Sequence, residues 1–152
     1  MAAPDSSAAR VLIVAHRTAD SPELLSAVRA RAQAGPCRFT LLIPATPSGI
    51  HRLMNPEDHG QAEAERRLEE TRPKVSAAAG ADVEGMVGSH DPVAAVEDAL
   101  NLVGFDEVIL SMLPARVSRW LHLDLPHKVR AMGMPVTEVV AGEPIASPAP
   151  AA

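Results

Sequence analysis

Three helix starts of one kind organise this chain. Ser21-Pro22, Asn55-Pro56 and Asp91-Pro92 each place a capping side chain immediately before a proline. The cap oxygen accepts a first-turn N–H, and the fixed φ of proline suits the first helical position, so each pair marks a start. Short apolar runs alternate with these starts: Val11–Ala15, Phe39–Ile43, Glu107–Met112 and Val136–Ala141, with a weaker one at Asp82–Gly88. Runs of that length, rich in Val, Ile and Leu, read as strands covered on both faces.

The helices between them have apolar stripes at helical spacing. Leu24, Leu25, Val28 and Ala32 line the first, which Gly35-Pro36 ends. The second is long and charged, with Glu63/Arg67 and Arg66/Glu70 expected on its wet face above Ala64, Leu68 and Val75. Pro73 predicts a break or kink in it near Thr71–Arg72, and Gly80 ends it. Val93, Val96, Leu100 and Val103 give the third an inner face up to Gly104, and a last helix is expected over Leu125–Met132. The pattern β-α-β-α-β-α-β-α-β implies right-handed crossovers and a three-layer, doubly wound α/β sheet. No internal repeat is visible. Residues 10–141 form one domain; the small, polar residues 1–9 and the Pro/Ala tail 142–152 are expected to be disordered.

Composition excludes several roles. Of the 152 residues, 47% are hydrophobic but only 2% aromatic, so Val, Leu, Ile, Met and Ala must build the core. A net charge of −5 and the scarcity of stacking rings argue against nucleic acid. No apolar run reaches the roughly 18 residues of a membrane span, and Met1–Arg10 lacks the layout of a secretory signal. A soluble, cytoplasmic protein is expected. Cys37 is the single cysteine, which removes internal disulfides and cysteine-rich metal sites; at a strand start it reads as a small buried hydrophobe.

In an open parallel sheet, ligands bind beyond the C-terminal strand ends where the strand order reverses. His16 and Arg17 follow the first strand, Pro44–Pro47 the second, Ser89-His90-Asp91 the third and Ser111–Arg116 the fourth. His16, Arg17, Ser89, His90, Ser111 and Arg116 are therefore the candidate ligand-binding residues, suited to a small anion or a nucleotide phosphate. Ser89-His90-Asp91 does not make a catalytic triad, because three consecutive residues cannot converge on one another, and Asp91 is already a helix cap. His122, Asp124 and His127 share no helix face and are read as a solvent-facing loop without metal. In Val117–Leu125, Trp120, Leu121, Leu123 and Leu125 either cover the sheet edge as an extra turn of core or present an apolar patch to a partner.

The order of elements resembles the universal stress protein family over nearly the whole ordered chain. The stretch Ser89–Ser111 (SHDPVAAVEDALNLVGFDEVILS) is similar to the family's Asp/Asn-Pro helix and following strand, and Pro135–Val140 (PVTEVV) to its closing strand. The resemblance implies a five-stranded parallel sheet of order 3-2-1-4-5, adenine-nucleotide α-hydrolase-like, and dimer contacts through the final strand. It also implies a glycine signature after strand four in ATP-binding members. In register with that signature stand Ser111, Pro114, Asp124 and Leu125, none of them glycine. Pro114 lacks an N–H, Asp124 would repel a triphosphate, and Leu125 has no hydroxyl. The acidic residue the family carries after strand one is replaced by His16 and Arg17.

The expectation is a non-catalytic, stress-protein-like regulatory module with a degenerate ATP site and no cofactor, acting through homodimerisation and protein contacts. Its dimer surface would comprise Trp120, Leu123, Val136, Glu138, Val139 and Val140. The alternative is a small-ligand binder, for a nucleotide or another anion, using a remodelled pocket at the ends of strands one and four.

Overall fold

The computed structural model describes residues 8–46, 56–114 and 118–142. Five strands, β1 (Ala9–Val14), β2 (Cys37–Pro44), β3 (Glu84–Gly88), β4 (Glu107–Met112) and β5 (Val136–Val140), form one sheet of order β3-β2-β1-β4-β5. Every neighbouring pair is parallel. Between them run α1 (Pro22–Ala34), α2 (Pro56–Ala79), α3 (Pro92–Leu102), the single turn α4 (Arg119–His122) and α5 (Leu125–Ala131). Ala9, assigned by composition to the N-terminal tail, belongs to β1: it pairs with Cys37 and its N–H donates to the Pro36 carbonyl.

The caps act as the sequence requires. Ser21 Oγ accepts from the Leu24 N–H at 3.1 Å, and Asp91 Oδ1 from that of Val93 at 3.0 Å. Asn55 lies outside the described residues. Alternation along the strands sorts the core into two layers. Val11, Ile13, Leu41, Ile43, Ile109 and Val139 face α1 and α2, meeting Leu24, Val28, Ala64 and Val75. Leu12, Val14, Leu42, Val108, Leu110 and Met112 face α3, α4 and α5, meeting Val96, Ala99, Trp120, Leu125 and Val129. Below the sheet, Arg31 of α1 forks onto the Glu107 carboxylate with two 3.0 Å bonds.

Four expectations need correction. Pro73 does not break α2, which is helical throughout Pro56–Ala79. Pro73 and Glu69 both lie on the exposed side, where water can take the carbonyl that proline leaves unbonded, while Thr71 and Val75 are buried on either side of it. Glu63 is not on the wet face but only 8% exposed, because the first turns of α2 bring it over the end of β1. Val103 is 42% exposed: α3 closes at Leu102, so its inner face is Pro92, Ala95, Val96 and Ala99. Cys37 is half-buried rather than buried, at the first position of β2. The segment after β4, by contrast, resolves towards the core. Ser118 caps α4 by accepting from the Leu121 N–H at 3.2 Å, which turns Trp120 and Leu125 inward.

Gly88 marks a close approach of helix to sheet. A Cβ there would lie 2.7 Å from the Ala95 Cβ and 2.9 Å from Leu42 Cδ1. At Gly85 the nearest atoms are instead the flexible ends of Leu68 and Arg72. Gly88→Ala is therefore expected to cost about 1–3 kcal/mol and Gly85→Ala clearly less, measured as urea midpoints at unchanged slope.

Candidate functional site

The turn after β1 lies at the centre of the C-terminal edge. Ala15 continues the pairing with β2, its N–H donating to the Leu42 carbonyl at 3.2 Å. The chain then folds tightly: the Ala19 N–H reaches the His16 carbonyl at 3.3 Å, and the Ser21 N–H the Thr18 carbonyl at 3.0 Å. His16, Thr18, Ala19 and Ser21 are all buried, whereas Arg17 and Asp20 project to solvent. Asp20 pairs with Lys74 of α2 at 3.1 Å.

Thr18 crosses the gap between β1 and β4. Its Oγ1 lies 2.6 Å from Ser111 Oγ, and both residues are buried. The two are 93 positions apart. One hydroxyl of the pair donates to the other, and Ser111 Oγ also lies 3.4 Å from the Thr18 carbonyl, so the two are joined at the point where the strand order reverses. Ser111 is a β4 residue facing the α1–α2 layer, its hydroxyl bonded to Thr18.

His16 is enclosed at the start of this turn. It is 7% exposed, with Nε2 lacking a hydrogen-bond partner. Burial, followed by the nearby Arg67 guanidinium, lowers its pKa to about 4, with Glu63 opposing. The ring is therefore neutral near pH 7 and adds no positive charge to an anion site. Glu63 and Arg67 meet at 3.4 Å one turn apart on α2.

Ser89 and His90 fall in a second group. They follow β3, two strand spacings from the end of β1, or roughly 10 Å away. Ser89 Oγ accepts from the Asp91 N–H at 3.2 Å, and the His90 carbonyl accepts from Thr46 Oγ1 at 2.9 Å. The His90 side chain is exposed. Side chains of Ser89 and Asp91 are thus both bonded to local backbone. Arg116 lies outside the described residues. The candidate residues are therefore not one cluster: His16 and Ser111 share the β1–β4 turn region, Ser89 and His90 adjoin β2, and Arg17 points outward.

Of the positions set in register with the glycine signature, Asp124 and Leu125 lie at the start of α5. Leu125 is fully buried in the core. Asp124, however, has φ 59°, ψ 39° and makes no side-chain capping bond. A left-handed backbone on a non-glycine residue costs free energy that glycine avoids. Asp124 is the one non-glycine residue with positive φ among the described residues. Among the described residues no three His, Cys, Asp or Glu side chains gather as a metal site, and no helix is long and apolar enough to cross a membrane.

The proposed dimer surface divides similarly. Trp120 and Val139 are core residues, 9% and 4% exposed. Leu123 is 40% exposed, Val136 and Val140 are half-buried, and Glu138 is exposed and bonded to Arg130 at 2.8 Å. The backbone edge of β5 has its own direction. Pro135 accepts from Val108 and Ala141 donates to Met112, so alternate residues 135, 137, 139 and 141 face β4. The N–H groups of Val136, Glu138 and Val140 consequently face outward.

A parallel sheet of order 3-2-1-4-5 flanked by helices on both faces is the fold of the universal stress proteins. Solved structures with that fold align over most of this chain. A universal stress protein family member from Burkholderia pseudomallei matches with a TM-score of 0.59 at 16% identity, covering 89% of this chain and 98% of its own. The Archaeoglobus fulgidus universal stress protein in complex with dAMP matches at 0.59 and 14%, covering 87% and 97%. A universal stress protein in complex with cAMP matches at 0.55 and 19%, covering 86% and 96%. No family model and no curated protein matches the sequence.

Sequence reasoning missed Thr18, Glu63 and Arg67. Ser111→Ala should leave the Thr18 hydroxyl buried without its partner and cost about 1–3 kcal/mol. The Thr18→Val/Ser111→Ala double variant should lose less than the sum of the two single losses, the signature of a direct contact in chemical denaturation.

Proposed function

We propose that this chain is a non-catalytic binding module of universal-stress-protein fold that works through protein contacts as a homodimer and does not hold ATP. The observation that carries this reading is the buried Thr18–Ser111 bond, which occupies the crevice where a phosphate would have to approach backbone. Leu125, fully buried, and the carboxylate of Asp124 at two further signature positions support it. Calorimetry with Mg-ATP near pH 7 is expected to give no binding at micromolar concentration; a Kd below about 10 μM, roughly −7 kcal/mol, would overturn the reading.

A second reading, a nucleotide or other anion held in a remodelled pocket, is favoured by the dAMP and cAMP complexes of proteins with this fold. Here exposed Arg17 would be the contributing cation. Mass spectrometry of small molecules released on denaturing the purified protein separates the two: a stoichiometric nucleotide supports the second reading.

For assembly, the outward N–H groups of β5 suit pairing with the same strand of a second copy, since identical edges satisfy one another about a two-fold axis. Light scattering is expected to give about 32 kDa, twice the chain mass of 16.0 kDa. Glu138→Pro removes an outward N–H and should shift the protein towards monomer. Val139→Pro would instead cut the ladder to β4 and destabilise the fold. A wild type that remains monomeric at high micromolar concentration sinks the dimer.

A further inference from the structure

The turn between β1 and α1 is fastened on several sides yet contains one group that resists the fastening. Thr18 bonds Ser111 of β4, and Asp20 pairs with Lys74 of α2. Two internal hydrogen bonds, Ala19 N–H to His16 and Ser21 N–H to Thr18, close the turn itself. Under it, the His16 imidazole is buried with Nε2 unpartnered. Glu63 and Arg67 face it electrostatically from α2 and Arg17 from its own turn, while the ends of β2 and β4, Leu42–Ala45 and Leu110–Met112, carry no charged side chain.

We propose that the turn Ala15–Ser21 is an acid-released latch, in which a proton on His16 expels the turn, separates Thr18 from Ser111 and opens the crevice between β1 and β4. A buried imidazolium beside Arg67 is disfavoured both by lost hydration and by like charge, so the proton is accepted only where water can reach the ring. Water reaches it by displacement of the turn. The segment can move without loss of the sheet, because Val11–Val14 are held on both sides by β2 and β4 independently of it.

The direction with pH follows from the ring's pKa of about 4, below its ordinary 6.5. As pH falls between these values the open state binds more protons than the closed one, so closure weakens progressively and its full loss is reached below the lower value. The latch rests on the reading that the crevice is closed near neutral pH. ATP binding in calorimetry would defeat that reading, whereas the experiment below contains no nucleotide, so the two failures separate.

Amide hydrogen exchange of the full chain, read residue by residue by NMR, tests the latch. Between about pH 7 and about pH 4.5 the amides of Ala19 and Ser21 should lose at least about tenfold protection after correction for intrinsic rates, while those of Leu12 and Ile13 keep theirs. Arg67→Gln, which relieves repulsion of the closed imidazolium, should move the midpoint of protection loss to lower pH, and Glu63→Gln, which removes its counter-charge, to higher pH, the opposite displacements expected for charges acting on one imidazole. A merely structural role for either residue would not produce that pair of shifts. Where a variant does not fold, the wild-type imidazole titration decides alone: His16 must titrate together with the loss of turn protection. Simultaneous loss at Leu12 and Ile13, or His16 titrating near 6.5 with the turn still protected, refutes the latch.

Discussion

β1 is enclosed on every side, and the other elements are placed by what that enclosure demands. Val11 through Ala15 are all fully buried, with strands on both edges and a helix layer on each face. Each such side chain contributes about 1.5–3 kcal/mol on leaving water, but the backbone polar groups must be bonded as well. Parallel neighbours β2 and β4 meet that requirement, and parallel pairing obliges each connection to cross a face as a helix. The two-sided apolar run in one strand thus entails the three layers.

That same centrality sets the chemistry at its end. A strand in the middle of the sheet, where the order reverses, ends between two connections that leave on opposite faces. Here the bounding residues are hydroxyls rather than glycines. Glycines would allow a ligand's phosphate to approach backbone N–H groups; Thr18 and Ser111 join the two strands' connections to each other. Fold likeness and ligand likeness are separate questions, because a ligand meets the residues at the switch point rather than the fold that carries them.

The fold was legible because its determinants are local. Ser21-Pro22 and Asp91-Pro92 declare their helices within four residues, and β4 could be bounded from composition alone at Glu107 and Met112. The candidate site was much less legible. Ser111 could be placed at a strand end, but its partner is 93 positions away and no spacing rule connects them. Glu63 and Arg67 have the four-residue spacing of a surface pair, and only the path of α2 over the end of β1 reveals that Glu63 is enclosed. His16 and Arg17 are adjacent in sequence, yet a buried strand end and the first residue of a tight turn give them opposite exposure. Pro73 misled for a related reason: whether a proline interrupts a helix depends on which side of it meets water.

Trp120 has a consequence for how this molecule can be observed. The chain contains one tryptophan and no tyrosine, so nearly all of its ultraviolet emission originates from one ring. That ring is packed with Leu125, Val129 and the α3 side of the sheet, and the α1–α2 layer beyond the strands contributes no fluorophore of comparable strength. Intrinsic fluorescence is therefore a signal from one half of the core, whereas circular dichroism sums over both. Agreement between the two would demonstrate a single cooperative transition; divergence would show that the layers on either side of the sheet can part company, with the emission following only the one that holds the indole.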